Sequence, residues 1–210
     1  MEINIREWFP ATDKVAGMIA RLCILKEDLH VELDAFREAS KGHADDLKFV
    51  PRSMYFFRNL IRTQFEVSGG LRILWATPEF QGMLAKQPQE VRESFETGLR
   101  TIERTHIITK KVRNRICGHV LLPGVMKALE TIRTGATGKL ELDDDANRVS
   151  CGFASEIVAE ILMEDVPTQE RANLGAGIFA GIADLILNTY GLIAAALLIY
   201  TKDRGLGTWR

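Results

Sequence analysis

The sequence QEVRESFETGLRTIERTHIITKKVRNRIC, residues 89–117, decides the fold class of this chain. Pro88 and Glu90 are typical of a helix start, since proline fits the first turn and an acidic residue suits its positive end. When the stretch is wound at about 100° per residue, one face collects the apolar residues Val91, Phe95, Leu99, Ile102, Val112 and Ile116. We therefore predict one long helix from about Gln89 to Cys117.

The end of this helix brings an anion-binding side chain close to a proton carrier. Arg113 falls inside the apolar stripe. Because an unpaired buried charge is costly, we expect it to snorkel, to find a carboxylate, or to face a cleft or a partner chain. Gly118 loosens the helix and Pro123 prevents its unbroken continuation. His119 then lies near Arg113, and histidine exchanges protons near neutral pH. This pairing suits chemistry on phosphate.

The segment RNRICGH, residues 113–119, resembles the Arg-x(4 to 6)-His motif of HEPN domains. Arg113, Asn114 and His119 fill its three positions, and the helical setting covers about residues 50–135. The resemblance implies an all-α bundle and a metal-independent endoribonuclease, in which the 2′-hydroxyl of RNA is the nucleophile. It also implies a homodimer with the active cleft between two copies of the motif.

Chemistry assigns each motif residue a catalytic role within that resemblance. Arg113 would grip the scissile phosphate with its planar fork and stabilise the charge of the transition state. His119 would be the acid or the base. Asn114 would orient the pair or bind the substrate.

Weaker candidates for substrate binding are Arg115, His106, Arg58 and Arg62. Arg58 and Arg62 are one helical turn apart and can face RNA, but such pairs also remain solvated or pair with an acid such as Glu66. His106 falls about two turns before Arg113. Its alternative role is that of a packed histidine, hydrogen-bonded to backbone or water.

For the chain as a whole, residues 1–210, we predict a single HEPN-like domain of long helices. An apolar seam from Val15 to Phe36 predicts the first helix, capped by Thr12 or Asp13. Polar and apolar residues alternate before and after three consecutive aspartates. This alternation predicts a small β-hairpin near residues 139–151, inserted at about 135–152. Because EF-hand spacing is absent, we interpret these aspartates as a solvated turn and not as a metal site.

The last helix poses a topological question. Residues 173–200 are almost entirely apolar and long enough to cross a bilayer, which needs about 20 residues. Asp184 lies inside this run, where a charge is unfavourable in lipid. We therefore predict a buried C-terminal helix at about 168–202, with a membrane span as the alternative.

Composition restricts the function further. The 27 basic and 28 acidic residues nearly balance, so any binding of nucleic acid must be local. The three cysteines are widely spaced and form no Cys-x-x-Cys pair, which argues against a disulfide framework and a zinc knuckle. No cofactor or metal is expected. The start of the chain lacks the pattern of a secretory signal, so the expected location is cytoplasmic.

The leading hypothesis is thus a HEPN-type ribonuclease acting on RNA. It would be a toxin, a phage-defence effector or a processing enzyme, and an antitoxin or regulatory protein is an expected partner. The first alternative is a non-catalytic binding or scaffold protein in which Arg113 pairs with a buried acid. The second is a protein anchored to the membrane by its C-terminal helix.

Overall fold

The computed structural model describes residues 3–41, 51–114, 122–132, 154–162 and 171–206, and within these ranges every regular element is helical. The main helices are α1 (Ile5–Trp8), α2 (Lys14–Ser40), α3 (Pro51–Trp75), α4 (Pro78–Ala85), α5 (Gln89–Val112), α6 (Leu122–Thr131), α7 (Ala154–Leu162) and α8 (Arg171–Asp203). For the described residues, the prediction of an all-α fold is confirmed. The predicted hairpin near 139–151 and its insertion at about 135–152 lie outside the described residues.

Local sequence signals explain where two helices begin. The Asp13 Oδ1 atom accepts a hydrogen bond from the Ala16 backbone N–H at 3.1 Å, which caps α2 as predicted. Helix α4 begins at Pro78, but Thr77 makes no capping bond there. Its hydroxyl donates to the Ile73 carbonyl at 2.8 Å and so satisfies an acceptor at the end of α3.

The chain divides into two compact units, and the division falls inside α2, α3, α5 and α8. Unit 1 contains residues 1–29, 63–108 and 179–210, and unit 2 contains residues 30–62 and 109–178. Each unit is therefore assembled from segments distant in sequence. The single HEPN-like domain over residues 1–210 stays a prediction.

Unit 1 has an aromatic core between α3, α4 and α5. The ring of Phe95 stacks on Trp75 at 6.0 Å between centroids and lies 5.5 Å from Phe80. Phe80 and Phe95 are fully buried, and each such burial stabilises the fold by about 1.5–3 kcal/mol. Helices α2 and α3 cross closely at Gly70, where a Cβ atom would lie 2.9 Å from Leu22 Cδ2. The absence of a side chain at Gly70 therefore permits this close crossing.

Helix α8 packs into unit 1 through one face. Thr189 on that face is fully buried, and its Oγ1 accepts a hydrogen bond from Gln64 Nε2 on α3 at 2.8 Å. The Asn188 side-chain amide donates to the Gly98 carbonyl on α5 at 3.2 Å. Polar contacts thus fix the rotation of an otherwise apolar helix.

The opposite face of α8 is exposed, with 61 % of Leu187 and 42 % of Leu198 accessible. Among the described residues, the stretch Asp184–Asp203 is long and apolar enough to cross a bilayer, with a mean hydropathy of 1.5, and half of it is buried within the protein. Length and composition alone do not distinguish a membrane span from the core helix of a soluble protein.

Unit 2 has a smaller described core. Phe57 on α3 is 2 % exposed, and its ring lies 6.0 Å from that of Phe36 on α2. Helices α6 and α7 pack against each other, and each buries apolar side chains, namely Ala128, Val158 and Ile161. The Arg113 motif belongs to this unit.

Candidate functional site

Helix α5 carries the first residues of the candidate motif. Phe95, Leu99 and Ile102 are buried, as the predicted stripe requires. Val91 is exposed, so its predicted burial is wrong, because it lies in the first turn, next to the exposed residues that open the helix. After Val112 the chain continues through Arg113 and Asn114 as a π-helical turn. Such wide turns are rare and often occur at functional sites.

Arg113 and Asn114 form a hydrogen-bonded pair in this turn. The Nη1 atom of Arg113 donates to Asn114 Oδ1 at 3.2 Å. Arg113 is half-buried and its Nε atom is buried, whereas Asn114 is exposed. The contact restricts the guanidinium plane, so the two side chains present their polar atoms as one group.

The other motif residues lie beyond this turn. Arg115 and His119 are outside the described residues, so the meeting of Arg113 with His119 stays a prediction. His106 belongs to α5, but its side chain is also outside the described part of the structure. The structure thus shows the side-chain contact between Arg113 and Asn114. It does not describe His119, the third residue of the motif.

Arg58 and Arg62 lie on α3 in unit 2, and they differ in environment. Arg62 is exposed, whereas Arg58 is half-buried and its Nε atom has no hydrogen bond to any described residue. Glu66, the suggested acidic partner, binds Arg21 instead, with 2.9 Å between Arg21 Nη2 and Glu66 Oε2. Of the alternatives left open for these two arginines, pairing with Glu66 is not the one adopted, because Arg21 on α2 takes that carboxylate.

A second polar cluster, in unit 1, was not predicted. It lines a surface pocket of about 570 Å³ between the start of α2 and the end of α8. Arg204 Nη2 lies 2.6 Å from Asp13 Oδ2, and the Tyr200 hydroxyl donates to the Trp8 carbonyl at 2.9 Å. The ring of Phe9 stacks on Tyr200 at 6.2 Å. These contacts join segments about 190 residues apart, so no local sequence signal reveals them.

This cluster has a structural role and not a catalytic one. Burial raises the pKa of Tyr200, and the negative charge of Asp13 raises this pKa further. The phenol therefore keeps its proton and acts as a donor at neutral pH. Asp13 is occupied by the α2 cap and by Arg204. We interpret the cluster as a latch, named here the Asp13 latch, between the two ends of unit 1.

The remaining reactive groups of the described residues do not form a site. Burial raises the pKa of the Cys23 thiol, which disfavours the nucleophilic thiolate. The described residues contain no group of three histidine, cysteine, aspartate or glutamate side chains placed to hold a metal ion.

Comparisons of the chain with protein-family models, with curated proteins and with solved structures found no match.

Proposed function

We propose that the chain is a metal-independent endoribonuclease of the HEPN type. The observation that supports this proposal is the Arg113 and Asn114 pair at the end of α5, with their side chains 3.2 Å apart and the arginine half-buried. The same residues open the motif that ends at His119. A partly desolvated guanidinium binds phosphate more strongly than a fully solvated one, because its electrostatic interactions are less screened.

The proposed reaction uses the 2′-hydroxyl of the RNA itself. A base removes the proton of this hydroxyl, and the oxygen attacks the adjacent phosphorus. The bond to the 5′-oxygen breaks, an acid returns a proton to that oxygen, and a 2′,3′-cyclic phosphate remains. His119 takes one of the two proton-transfer roles, which typically contribute 10²–10⁴-fold each. Arg113 stabilises the added negative charge on the phosphate, and Asn114 holds the guanidinium.

A second copy of the chain would complete the site. In the proposed homodimer the segments 113–119 of two copies face each other near the two-fold axis, so that two histidines serve as acid and base. Arg115, His106, Arg58 and Arg62 are proposed to contact the RNA beside the scissile phosphate. A cytoplasmic toxin or defence role, held in check by an antitoxin or regulatory protein, is part of this proposal.

The second candidate function is non-catalytic binding or scaffolding. Its support is that polar groups of the described residues are used inside the chain. Asp13 caps α2 and binds Arg204, and Arg113 binds its own neighbour Asn114. Anchoring to a membrane is a third candidate, supported by the apolar stretch Asp184–Asp203.

A cleavage assay in chelator separates the candidates. Labelled RNA is incubated with the wild type, Arg113→Ala, Arg113→Lys and His119→Ala, in excess EDTA. We expect a loss of about 10²–10³-fold for Arg113→Ala and at least as much for His119→Ala. Lysine should rescue poorly because it lacks the bidentate fork. The double variant should be little worse than either single one, because the residues act as a unit.

Arg100→Ala is the matched control. Arg100 is an exposed arginine of the same helix whose ion pair with Glu96 spans one turn, with 2.6 Å between the charged atoms. Its removal should leave cleavage unchanged. If the wild type leaves RNA intact with and without divalent metal, the scaffold proposal replaces the nuclease. If cleavage survives His119→Ala, the motif assignment is wrong.

A further inference from the structure

Helix α8 exposes an apolar face that nothing in the described residues covers. At 100° per residue, one stripe of about five turns is formed by Asp184, Leu187, Gly191, Ala194, Leu198 and Lys202, all of them exposed. We call this stripe the outer face of α8. Its central positions are small, two leucines flank them, and a charge of opposite sign stands at each end.

The stripe is symmetric about its midpoint. Leu187 and Leu198 are equally distant in sequence from the point between Leu192 and Ile193, and so are Gly191 and Ala194. If two such helices run antiparallel about a two-fold axis at this point, each leucine meets the other leucine of the second copy. The small residues face each other and permit a close approach.

The charges at the ends select the same orientation. In the antiparallel pair, Asp184 of each copy lies opposite Lys202 of the other. In a parallel pair, Asp184 would face Asp184 of the other copy, and Lys202 would face Lys202. Neither residue has an ion pair with another described residue, so both are available to the second copy. Each exposed ion pair contributes little affinity, but like-charge contact disfavours the wrong orientation.

The surroundings of the stripe favour protein over lipid as its occupant. Helix α5 borders α8 through the contact of Asn188 with Gly98, and α2 borders it through Lys26, which lies 5.5 Å from the Tyr190 ring. Both neighbouring helices carry exposed charged side chains, namely Arg21 on α2, which pairs with Glu66 on α3, and Arg100 on α5, which pairs with Glu96. Crossing a bilayer with these helices attached would bring charged side chains into hydrocarbon, where they are strongly disfavoured.

We propose that the outer face of α8 is a homodimer interface, in which α8 of a second copy packs antiparallel through the same residues. This interface lies in unit 1 and does not depend on the ribonuclease proposal, whose motif is in unit 2. The stripe extends about 27 Å along the helix. A single pair of helices forms a small contact, so the dimer should be weak and should require micromolar concentrations.

Disulfide crosslinking tests the orientation. Leu187→Cys and Leu198→Cys are made as separate variants, because both sites are exposed and tolerate substitution. In the antiparallel pair, position 187 lies level with position 198 of the second copy. Two copies of position 187 are about 16 Å apart along the axis, whereas a disulfide requires Cα atoms within about 7 Å. An equimolar mixture should therefore crosslink under mild oxidation, while each variant alone should match the wild type with its native cysteines.

Charge exchange and sedimentation give a second measurement. Asp184→Lys and Lys202→Asp should each self-associate more weakly than the wild type, by up to about tenfold. Their mixture should form a heterodimer, because every end contact then pairs opposite charges. Ala194→Glu should weaken association through the outer face, whereas Ile24→Glu, at an exposed apolar position of α2, should leave it unchanged.

Three outcomes would overturn the proposal. The first is crosslinking of each cysteine variant alone, with no gain when the two are mixed, which indicates a parallel pair. The second is the absence of any crosslink beyond that of the wild type at protein concentrations well above the micromolar range. The third is flotation of the wild type with phosphatidylglycerol and phosphatidylcholine vesicles, lost in Ala194→Glu, which assigns the face to lipid.

Discussion

The buried pair of Gln64 and Thr189 yields a sharp prediction about stability. Gln64 Nε2 donates to Thr189 Oγ1 at 2.8 Å and lies 3.5 Å from Ser68 Oγ, while Gln64 Oε1 is buried without a hydrogen bond. Both partners are at most 1 % exposed. Thr189→Val removes the acceptor at 2.8 Å and leaves a desolvated amide, so it should lower the free energy of unfolding by about 1–3 kcal/mol.

Gln64→Met should cost less. It leaves the Thr189 oxygen without its hydrogen-bond donor, which is destabilising. It also removes the buried Oε1 atom that has no partner, which is stabilising, and the two effects are of similar size, about 1–3 kcal/mol each. The double variant, Gln64→Met with Thr189→Val, removes both polar groups while keeping the shape. We expect it to equal the wild type or to exceed it by up to about 2 kcal/mol. The two substitutions are therefore coupled by at least about 1 kcal/mol.

Equilibrium unfolding in urea measures all four proteins, and equal m-values show that the same surface unfolds. Thr101→Val is the matched control, since Thr101 is exposed and its hydroxyl donates to the Thr97 carbonyl of its own helix at 3.1 Å. It should change stability by less than about 0.5 kcal/mol. If the two losses simply add in the double variant, the reasoning about the unpaired oxygen is refuted.

Three further measurements test local features. Because burial and the Asp13 charge raise the pKa of Tyr200, its contribution to stability is complete below about pH 10 and is lost above it; wild-type stability should thus fall more steeply than that of Tyr200→Phe in alkaline urea titrations. Burial also raises the pKa of Cys23, so its thiol should react slowly with DTNB in the folded protein. The wild type and Cys23→Ser should therefore react at the same initial rate at pH 8, whereas in urea the wild type should show one more fast-reacting thiol. At Gly98, a Cβ atom would lie 2.9 Å from a Leu192 methyl carbon, so Gly98→Val should destabilise by about 1–3 kcal/mol in thermal unfolding. Gly17 is exposed with open space around it, and Gly17→Ala should stabilise by about 0.5–1 kcal/mol; equal effects at the two glycines would contradict the predicted close crossing.

The sequence predicts helix positions well where local chemistry decides them. Pro78 and Pro88 mark the starts of α4 and α5, and Asp13 caps α2. These signals work because capping and the fixed proline backbone act within one helical turn. Periodicity likewise predicts the buried face of α5 around Phe95.

Contacts between distant segments could not be predicted in this way. Glu66 could pair with a neighbour on its own helix or with another helix, and only the packing of α2 selects Arg21. The Asp13 latch depends on Arg204 and Tyr200, which are local to Asp13 only after folding. In α8 the residues are apolar all round, so composition does not reveal which side packs on α3 and α5. The structure buries the side of Thr189 and exposes that of Leu187.

The Asp13 latch also sets the order in which a newly made chain can complete unit 1. Trp8 and Tyr200 are 192 positions apart, and the ribosome synthesises Trp8 long before its hydrogen-bond donor exists. Until α8 emerges, α3 and α5 expose the faces that it will cover, around Gln64 and Gly98. Because non-local contacts form late, this apolar surface stays open in the unfinished chain and makes it prone to aggregation. A released chain that ends before residue 200 would therefore be prone to aggregation, whereas a released chain that ends just after Arg204 would contain the residues that close unit 1.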